Sequence, residues 1–366
     1  MHILHVVGAR PNFMKVAPVL RAFATRPGVR QTLLHTGQHY DANMSDIFFE
    51  QLGIPRPDVA LGIGSGSHAQ QTAQVMMKFE EAVLERKPDW VLVYGDVNST
   101  VAAALVCAKL RIKVAHVEAG LRSFDRDMPE ELNRLVTDQL ADLLLTPSSD
   151  GDENLLREGI PAERIRCVGN VMIDTLVRLL PQARLPEIDL QSRFALVTLH
   201  RPSNVDEPES LRRIWSALCD ISEQCQIVFP VHPRTRTRMA DLGLKTPSGN
   251  KLLMLEPLGY LECLALQKHC TLVVTDSGGI QEESTYLGIP CLTLRENTER
   301  PVTITEGTNE LIGSDMQKLR SEVARVLNGQ GKSGRRPNLW DGSASERIVD
   351  LLLNTEQQRE AIRSAA

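Results

Sequence analysis

The chain has 366 residues, a length that calls for two hydrophobic cores. Hydrophobic residues make up 42% and charged residues 24%, which excludes a disordered or a fibrous chain. A net charge of −5 offers no basic field to a nucleic-acid backbone, so no DNA or RNA partner is expected, whereas a small anion needs only a few local cations.

In chain order, short apolar runs alternate with helix-like segments. The first runs cover residues 3–7, 32–35, 90–94, 114–117, 143–145 and 166–168, with a helix pattern at 152–158 among them. Being continuous and rich in Val, Ile and Leu, they read as strands buried on both faces of a parallel sheet. The pattern breaks over 179–193, which carries Pro181 and Pro186 and reads as a linker. Runs resume at 195–199, 226–231, 252–255, 272–275 and 291–294, with helix patterns at 209–223 and 280–287. Residues 328–337 are polar and loop-like, and 344–366 read as a closing helix. The fold class is α/β: two Rossmann-like, doubly wound domains facing a cleft. The expected domains are 1–178 and 190–350, with a C-terminal helix at about 352–366 packing back on the first. No apolar run approaches the roughly twenty residues of a spanning helix. The N-terminus enters a strand pattern at once, without the regions of a signal peptide. A cytoplasmic protein with no membrane partner is therefore expected. The seven cysteines form no Cys-x-x-Cys pair and are expected to be reduced, buried thiols.

The unusual residues cluster just after the strand runs. The first run ends in Gly8-Ala9-Arg10-Pro11-Asn12, with Lys15 one turn on. Arg10 and Lys15 can meet a phosphate there, or be solvated cations beside a plain turn. The turn completes no G-x-G-x-x-G, so no nicotinamide or flavin fingerprint is present. Asp96 follows the third run and can act chemically or cap a helix. Glu118 follows the fourth run, flanked by His116 and Arg122. Glu131 stands in Met128-Pro129-Glu130-Glu131, where one acid suits a helix dipole and two are harder to explain as scaffold. Asp96, Glu118 and Glu131 can converge at one sheet edge, and crowded carboxylates raise each other's pKa values. A metal site is the rival explanation, but the spacing holds no HExxH or facial triad. In the second half, His200 and His232 sit at strand tips. Asp276-Ser277-Gly278-Gly279 joins a strand to a helix whose N-terminus suits a diphosphate. Glu283, one turn further in, can accept from a ribose diol or be a solvated helix residue. The run 295–301 adds positive charge through Arg295 and Arg300.

The ordered motifs GARPNFMKVAP, TGQH, GDVNST, HVEAGLRS, PEELNR, GNVMIDT, LHRPSN, DSGGIQEES and RENTERP run from Gly8 to Pro301, within a similarity that extends to about Gly313. In them the chain resembles the non-hydrolysing UDP-N-acetylglucosamine 2-epimerases. The resemblance implies the GT-B architecture, a homodimer, a UDP-N-acetylhexosamine substrate, and neither metal nor redox cofactor. It implies removal of the C2 proton with anti elimination of UDP, an enzyme-held 2-acetamidoglucal, and re-addition of UDP with protonation on the opposite face. By motif match, Asp96, Glu118, Glu131 and His200 take the catalytic positions. Arg10, Lys15, His232, Ser277, Gly278, Gly279, Glu283 and Arg300 take the substrate contacts. His200 and the nucleotide contacts come from the second half, so a complete site is expected only when the domains close.

Three features depart from the family pattern. Arg201-Pro202-Ser203-Asn204 replaces the Arg-Arg-Glu of members with a second, allosteric UDP-sugar site, and Tyr40-Asp41 follow Gln38-His39; that second site is incompletely matched. Cys263 stands where some relatives stack an aromatic residue on uracil. The alternatives are a hydrolysing 2-epimerase releasing N-acetylmannosamine and UDP, a GT-B glycosyltransferase, and a nucleotide-sugar binding protein without activity.

Overall fold

The computed structural model describes residues 1–37, 51–247 and 249–365. They divide into two compact units, Met1–Thr175 with Asn338–Ala366, and Leu176–Pro337. In the first unit the strands are β1 (His2–Val7), β2 (Arg30–His35), β3 (Val59–Ala60), β4 (Trp90–Tyr94), β5 (Lys113–Val117), β6 (Leu143–Thr146) and β7 (Ile165–Cys167). They form a seven-stranded sheet in the order β3-β2-β1-β4-β5-β6-β7. Every neighbouring pair is parallel, with Val6 registered against both Leu34 and Val93. In the second unit β8 (Phe194–Thr198), β9 (Gln226–Pro230), β10 (Leu252–Leu255), β11 (Leu272–Thr275), β12 (Cys291–Thr293) and β13 (Asn309–Leu311) form a parallel sheet in the order β10-β9-β8-β11-β12-β13.

Both sheets reverse direction once. The first winds outward from β1 to β3, then restarts beside β1 with β4; the second does the same between β8 and β11. Adjacent loops diverge at such a switch point, which leaves room for a ligand beyond the carboxyl ends of the strands. The tips of β1 and β4 carry Gly8 and Gly95. Those of β8 and β11 lead into His200 and Asp276.

The continuous apolar runs form the central strands because helices cover both faces of each sheet. Val91, Leu92, Val93, Leu196, Val197, Ile227, Val228 and Val274 are buried, each contributing roughly 1.5–3 kcal/mol in transfer free energy. Helix boundaries follow local chemistry. The helix His68–Arg86 opens with a reciprocal Ser67–Gln70 capping box and stops at Lys87 in the left-handed region. Sequence patterning does not foresee β3 and β13. β3 has only two residues, Val59 half-buried and Ala60 exposed, and β13 presents Asn309 to the interior, bonded to Gln281 and Thr303, where a strand pattern asks for an apolar side chain.

The second unit closes at Pro337, short of the expected 350. Trp340 donates to the Pro147 carbonyl, and the Asp174 carboxylate caps the closing helix Ala344–Ala365 through the amides of Ala344 and Ser345. That helix packs on Arg10–Ala24. The seven cysteines are free, and burial pushes the thiols of Cys225 and Cys291 up to about 11. Among the described residues, no helix is long and apolar enough to cross a membrane.

Candidate active site

At the β1/β4 switch point the backbone turns tightly. Asn12 Oδ1 accepts from the amides of Gly8 and Ala9, and its Nδ2 donates to the Tyr94 carbonyl at 2.8 Å, which ties the first helical turn to the tip of β4. A Cβ on Gly8 would lie 2.2 Å from Ser99 Oγ, so only glycine fits. Lys15 reaches the same place. Its Nζ lies 2.7 Å from Glu118 Oε2, both side chains being buried. Gly95 has φ +62°, and a Cβ there would come within 2.6 Å of the Lys15 ammonium.

Glu118 itself has φ +75°, a conformation that costs a non-glycine residue about 1–3 kcal/mol. The surroundings hold it there. The amides of Glu118 and Ala119 both donate to the Leu145 carbonyl, and Gly120 (φ +80°) lies too close to Gly151 for any side chain. Such strain persists where a side chain must be aimed.

Arg134 joins the other two carboxylates. Its NH1 meets Asp96 Oδ2 at 2.5 Å, while Nε and NH2 meet Glu131 Oε2 at 3.1 and 2.8 Å. Glu131 Oε2 also accepts from the Ser123 amide and hydroxyl, and Oε1 from the Phe124 amide. Glu131 is therefore buried and fully engaged, whereas the Asp96 side chain keeps 23% of its surface open. The structure replaces the expected crowding of carboxylates with alternating charge, because each of the three lies against a cation.

A second layer supports these tips. His116 bridges the Asp138 carboxylate (2.6 Å) and the Gly95 carbonyl (2.8 Å), and Asp138 also holds the Gly120 amide and Arg122. Burial alone would raise the Asp138 carboxyl, but His116 and Arg122 outweigh it and hold it low. Sequence reasoning does not single out Arg134 and Asp138. The available signal is their spacing from Glu131, three and seven residues on, which puts all three on one helix face.

In the second unit, His200 follows β8 and presents Nδ1 to Asp276 Oδ1 at 3.0 Å, its side chain 46% exposed. His232 is exposed after β9, its ring centroid 6.1 Å from that of His200. Ser277 stands at the N-terminus of the helix Gly278–Leu287 without a side-chain capping bond, and the first turn contains Gly278 and Gly279. A Cβ on Gly278 would lie 2.5 Å from Arg300 NH1, so glycine admits the guanidinium beside the helix N-terminus. Arg300 contacts Glu299 and sits 2.9 Å from Glu282. Arg295 and Arg201 also approach Glu299, at 2.7 and 3.9 Å. Burial would raise the Glu299 carboxyl, but Arg300, Arg295 and Arg201 hold it far below the usual range. Arg300 is thus held beside a helix N-terminus, an arrangement that suits a bound anion. Glu283 is buried, accepting from Tyr260 Oη (2.8 Å) and Gln267 Nε2 (3.2 Å), and burial raises its carboxyl to about 7. Asp276 is the residue sequence reasoning passes over here; an acid at a strand tip just before Ser-Gly-Gly was the signal.

The Arg10 side chain and Gln38, His39, Tyr40 and Asp41 lie outside the described residues. Of the remaining expected site residues, the first unit gathers Lys15 with Glu118 and Asp96 with Glu131. The second places His200 beside His232, and Ser277, Gly278, Gly279 and Glu283 at the start and along one helix, with Arg300 packed against it from a loop.

Residues 21–353 match the family model described as UDP-N-acetylglucosamine 2-epimerase. The chain is 42% identical to the UDP-N-acetylglucosamine 2-epimerase of Methanococcus maripaludis, over 96% of this chain and 98% of the relative. It is 43% identical to the UDP-2,3-diacetamido-2,3-dideoxy-D-glucuronate 2-epimerase of Pseudomonas aeruginosa, over 96% of this chain and 99% of the relative. Among solved structures, the UDP-GlcNAc 2-epimerase of Methanocaldococcus jannaschii, in complex with UDP-GlcNAc and UDP, superposes with a TM-score of 0.88 at 42% identity, covering 97% of this chain and 100% of that one.

Proposed function

Because this chain belongs to the UDP-N-acetylglucosamine 2-epimerase family, we propose that it inverts C2 of UDP-N-acetylglucosamine by eliminating UDP and adding it back, without net hydrolysis. It is an isomerase of GT-B fold. The observation that carries the mechanism is the strained, buried Glu118 held against Lys15, with the Asp96–Arg134–Glu131 lattice on the same sheet edge.

The C2 proton is a weak acid, so its removal must be assisted by departure of the diphosphate. The C2–H electrons form the C1–C2 double bond of a 2-acetamidoglucal as the C1–O pair leaves with UDP. The helix N-terminus at Ser277, with Gly278, Gly279 and Arg300, suits the leaving charge. Glu283 suits the ribose hydroxyls as an acceptor. Asp96 and Glu118 suit the two faces of C2, one taking the proton and the other returning one. Glu131, with both oxygens engaged, suits a positioning role through Arg134. His200 exposes its ring toward solvent and suits the diphosphate side; His232, beside it, lines the same tips. Arg10 belongs to this set by its motif.

Leu132 and Val136, one turn apart on the helix Pro129–Leu140, are exposed, as is Met77 on His68–Arg86. A pocket of about 390 Å³ with Ala73, Met76 and Leu132 in its lining adjoins them. This apolar face supports a homodimer through the first unit. Seven free cysteines support a cytoplasmic location.

A second reading concerns the sugar. The relative from P. aeruginosa is as similar as the others, and its name specifies a 2,3-diacetamido glucuronate. The test is incubation with each UDP-sugar in D2O, followed by NMR. Deuterium at C2 in both epimers of UDP-N-acetylglucosamine is expected. Exchange confined to the diacetamido glucuronate would move the substrate, and free sugar with UDP as main products would favour a hydrolysing enzyme.

A further inference from the structure

We propose that Asp276 is a positioning residue that acts through His200, fixing its rotamer and its Nδ1–H tautomer. The proposal rests on reading this site as that of a 2-epimerase. Four donors converge on the Asp276 carboxylate: His200 Nδ1 at 3.0 Å, the His200 amide at 3.1 Å, the Arg201 amide at 2.9 Å and Asn204 Nδ2 at 3.1 Å. The side chain is wholly buried. Burial alone would raise its carboxyl, but the hydrogen bond from His200, with those from the Arg201 amide and Asn204, holds it low. It therefore accepts only, and Nδ1 must carry a hydrogen. Nε2 is left as the outward nitrogen. A buried carboxylate that orients an imidazole in this way sets which nitrogen faces the substrate.

Scaffold duty does not require this arrangement. A carboxylate that served only to pin the β8 loop would be satisfied by two backbone amides and Asn204. The exposed His200 ring would have no reason to turn Nδ1 inward. Asp276 also immediately precedes Ser277, and its carbonyl accepts from Arg201 Nε at 3.0 Å. Arg201 in turn lies against Glu299, among the arginines that flank the helix N-terminus. One residue thus carries the orientation of His200 and leads into the turn suited to the diphosphate.

The experiment is Asp276→Asn, whose amide can keep the backbone amides but must turn a donor toward His200 or Asn204. Three measurements are made: turnover with UDP-N-acetylglucosamine, UDP affinity by calorimetry, and the ¹⁵N signals of the His200 ring, assigned by their loss in His200→Gln. In the parent enzyme, Nδ1 should be the protonated nitrogen of the neutral ring. In Asp276→Asn, the hydrogen should move to Nε2, kcat should fall on the order of 10²–10⁴-fold, and UDP affinity should stay within threefold. Added to His200→Gln, the substitution should cost less than a further twofold. An unchanged tautomer, near-normal kcat, or loss of UDP binding in parallel with turnover would each overturn the proposal. A parent enzyme that shows the tautomer but does not exchange C2 of UDP-N-acetylglucosamine would instead count against the substrate.

Discussion

Replacing Glu283 with Gln should stabilise the ligand-free protein at pH 8 while weakening its hold on the nucleotide. Burial raises the Glu283 carboxyl from 4.5 to about 7, and the hydrogen bonds from Tyr260 and Gln267 offset only part of that rise. A carboxyl whose folded value exceeds its unfolded value binds its proton more tightly in the folded state. Its contribution is complete below about 4.5, is lost as pH climbs to about 7, and is constant above. At 1.36 kcal/mol per pKa unit, the loss is about 3 kcal/mol. Gln stays neutral throughout. The site tolerates it: Tyr260 can still donate to the carbonyl oxygen, and the Gln267 amide, whose Oε1 has no partner among the described residues, can flip to accept from the new amide. Urea unfolding at pH 5, 6, 7 and 8 should show the variant gaining on the parent through that range, to about 3 kcal/mol at pH 8. UDP-N-acetylglucosamine should stabilise the parent more than the variant, because the variant offers the ribose a weaker acceptor. A stability difference that stays flat with pH, or a variant less stable at pH 8, would refute the reasoning.

Two further substitutions probe the first unit. Lys15→Met should destabilise by about 3–5 kcal/mol in urea unfolding, because it leaves the buried Glu118 without its cation, and Lys15→Met with Glu118→Gln should recover part of that loss. Equal stability of the single and double variants would show that the pair is not coupled. Arg134→Lys puts one ammonium where a guanidinium spans Asp96 and Glu131, so C2 deuterium exchange should slow on the order of 10²-fold while the protein stays folded. Parent-like exchange would remove the lattice from the mechanism.

The doubly wound character is legible in the sequence because central parallel strands must be apolar along nearly their whole length, as 90–94 and 227–230 are. β13 escapes that logic, since Asn309 is buried by bonding to side chains on two neighbouring helices. Strand-tip chemistry is legible where glycine and charge coincide, at Gly8–Lys15 and at 276–279. Its partners are less so. The His116–Asp138 and His200–Asp276 pairings bridge 22 and 76 residues, and no local pattern encodes them. The backbone of Glu118 was beyond reach for another reason: a positive φ at a non-glycine residue is imposed by neighbours, here the Leu145 carbonyl and the Gly120–Gly151 contact.

The chain leaves the first unit after Thr175 and returns to it at Asn338. A nascent chain therefore carries an unfinished first unit while all of Leu176–Pro337 is being synthesised, a delay on the order of ten seconds or more. During that interval Asp174 has no helix to cap, Pro147 lacks Trp340, and Trp90 lacks Glu356. The second unit, whose strands are contiguous in sequence, can fold first. The unit that carries Asp96, Glu118 and Glu131 gains the helix Ala344–Ala365 only after the whole second unit has been synthesised, so a product stalled or clipped before Asn338 would leave the first unit incompletely packed.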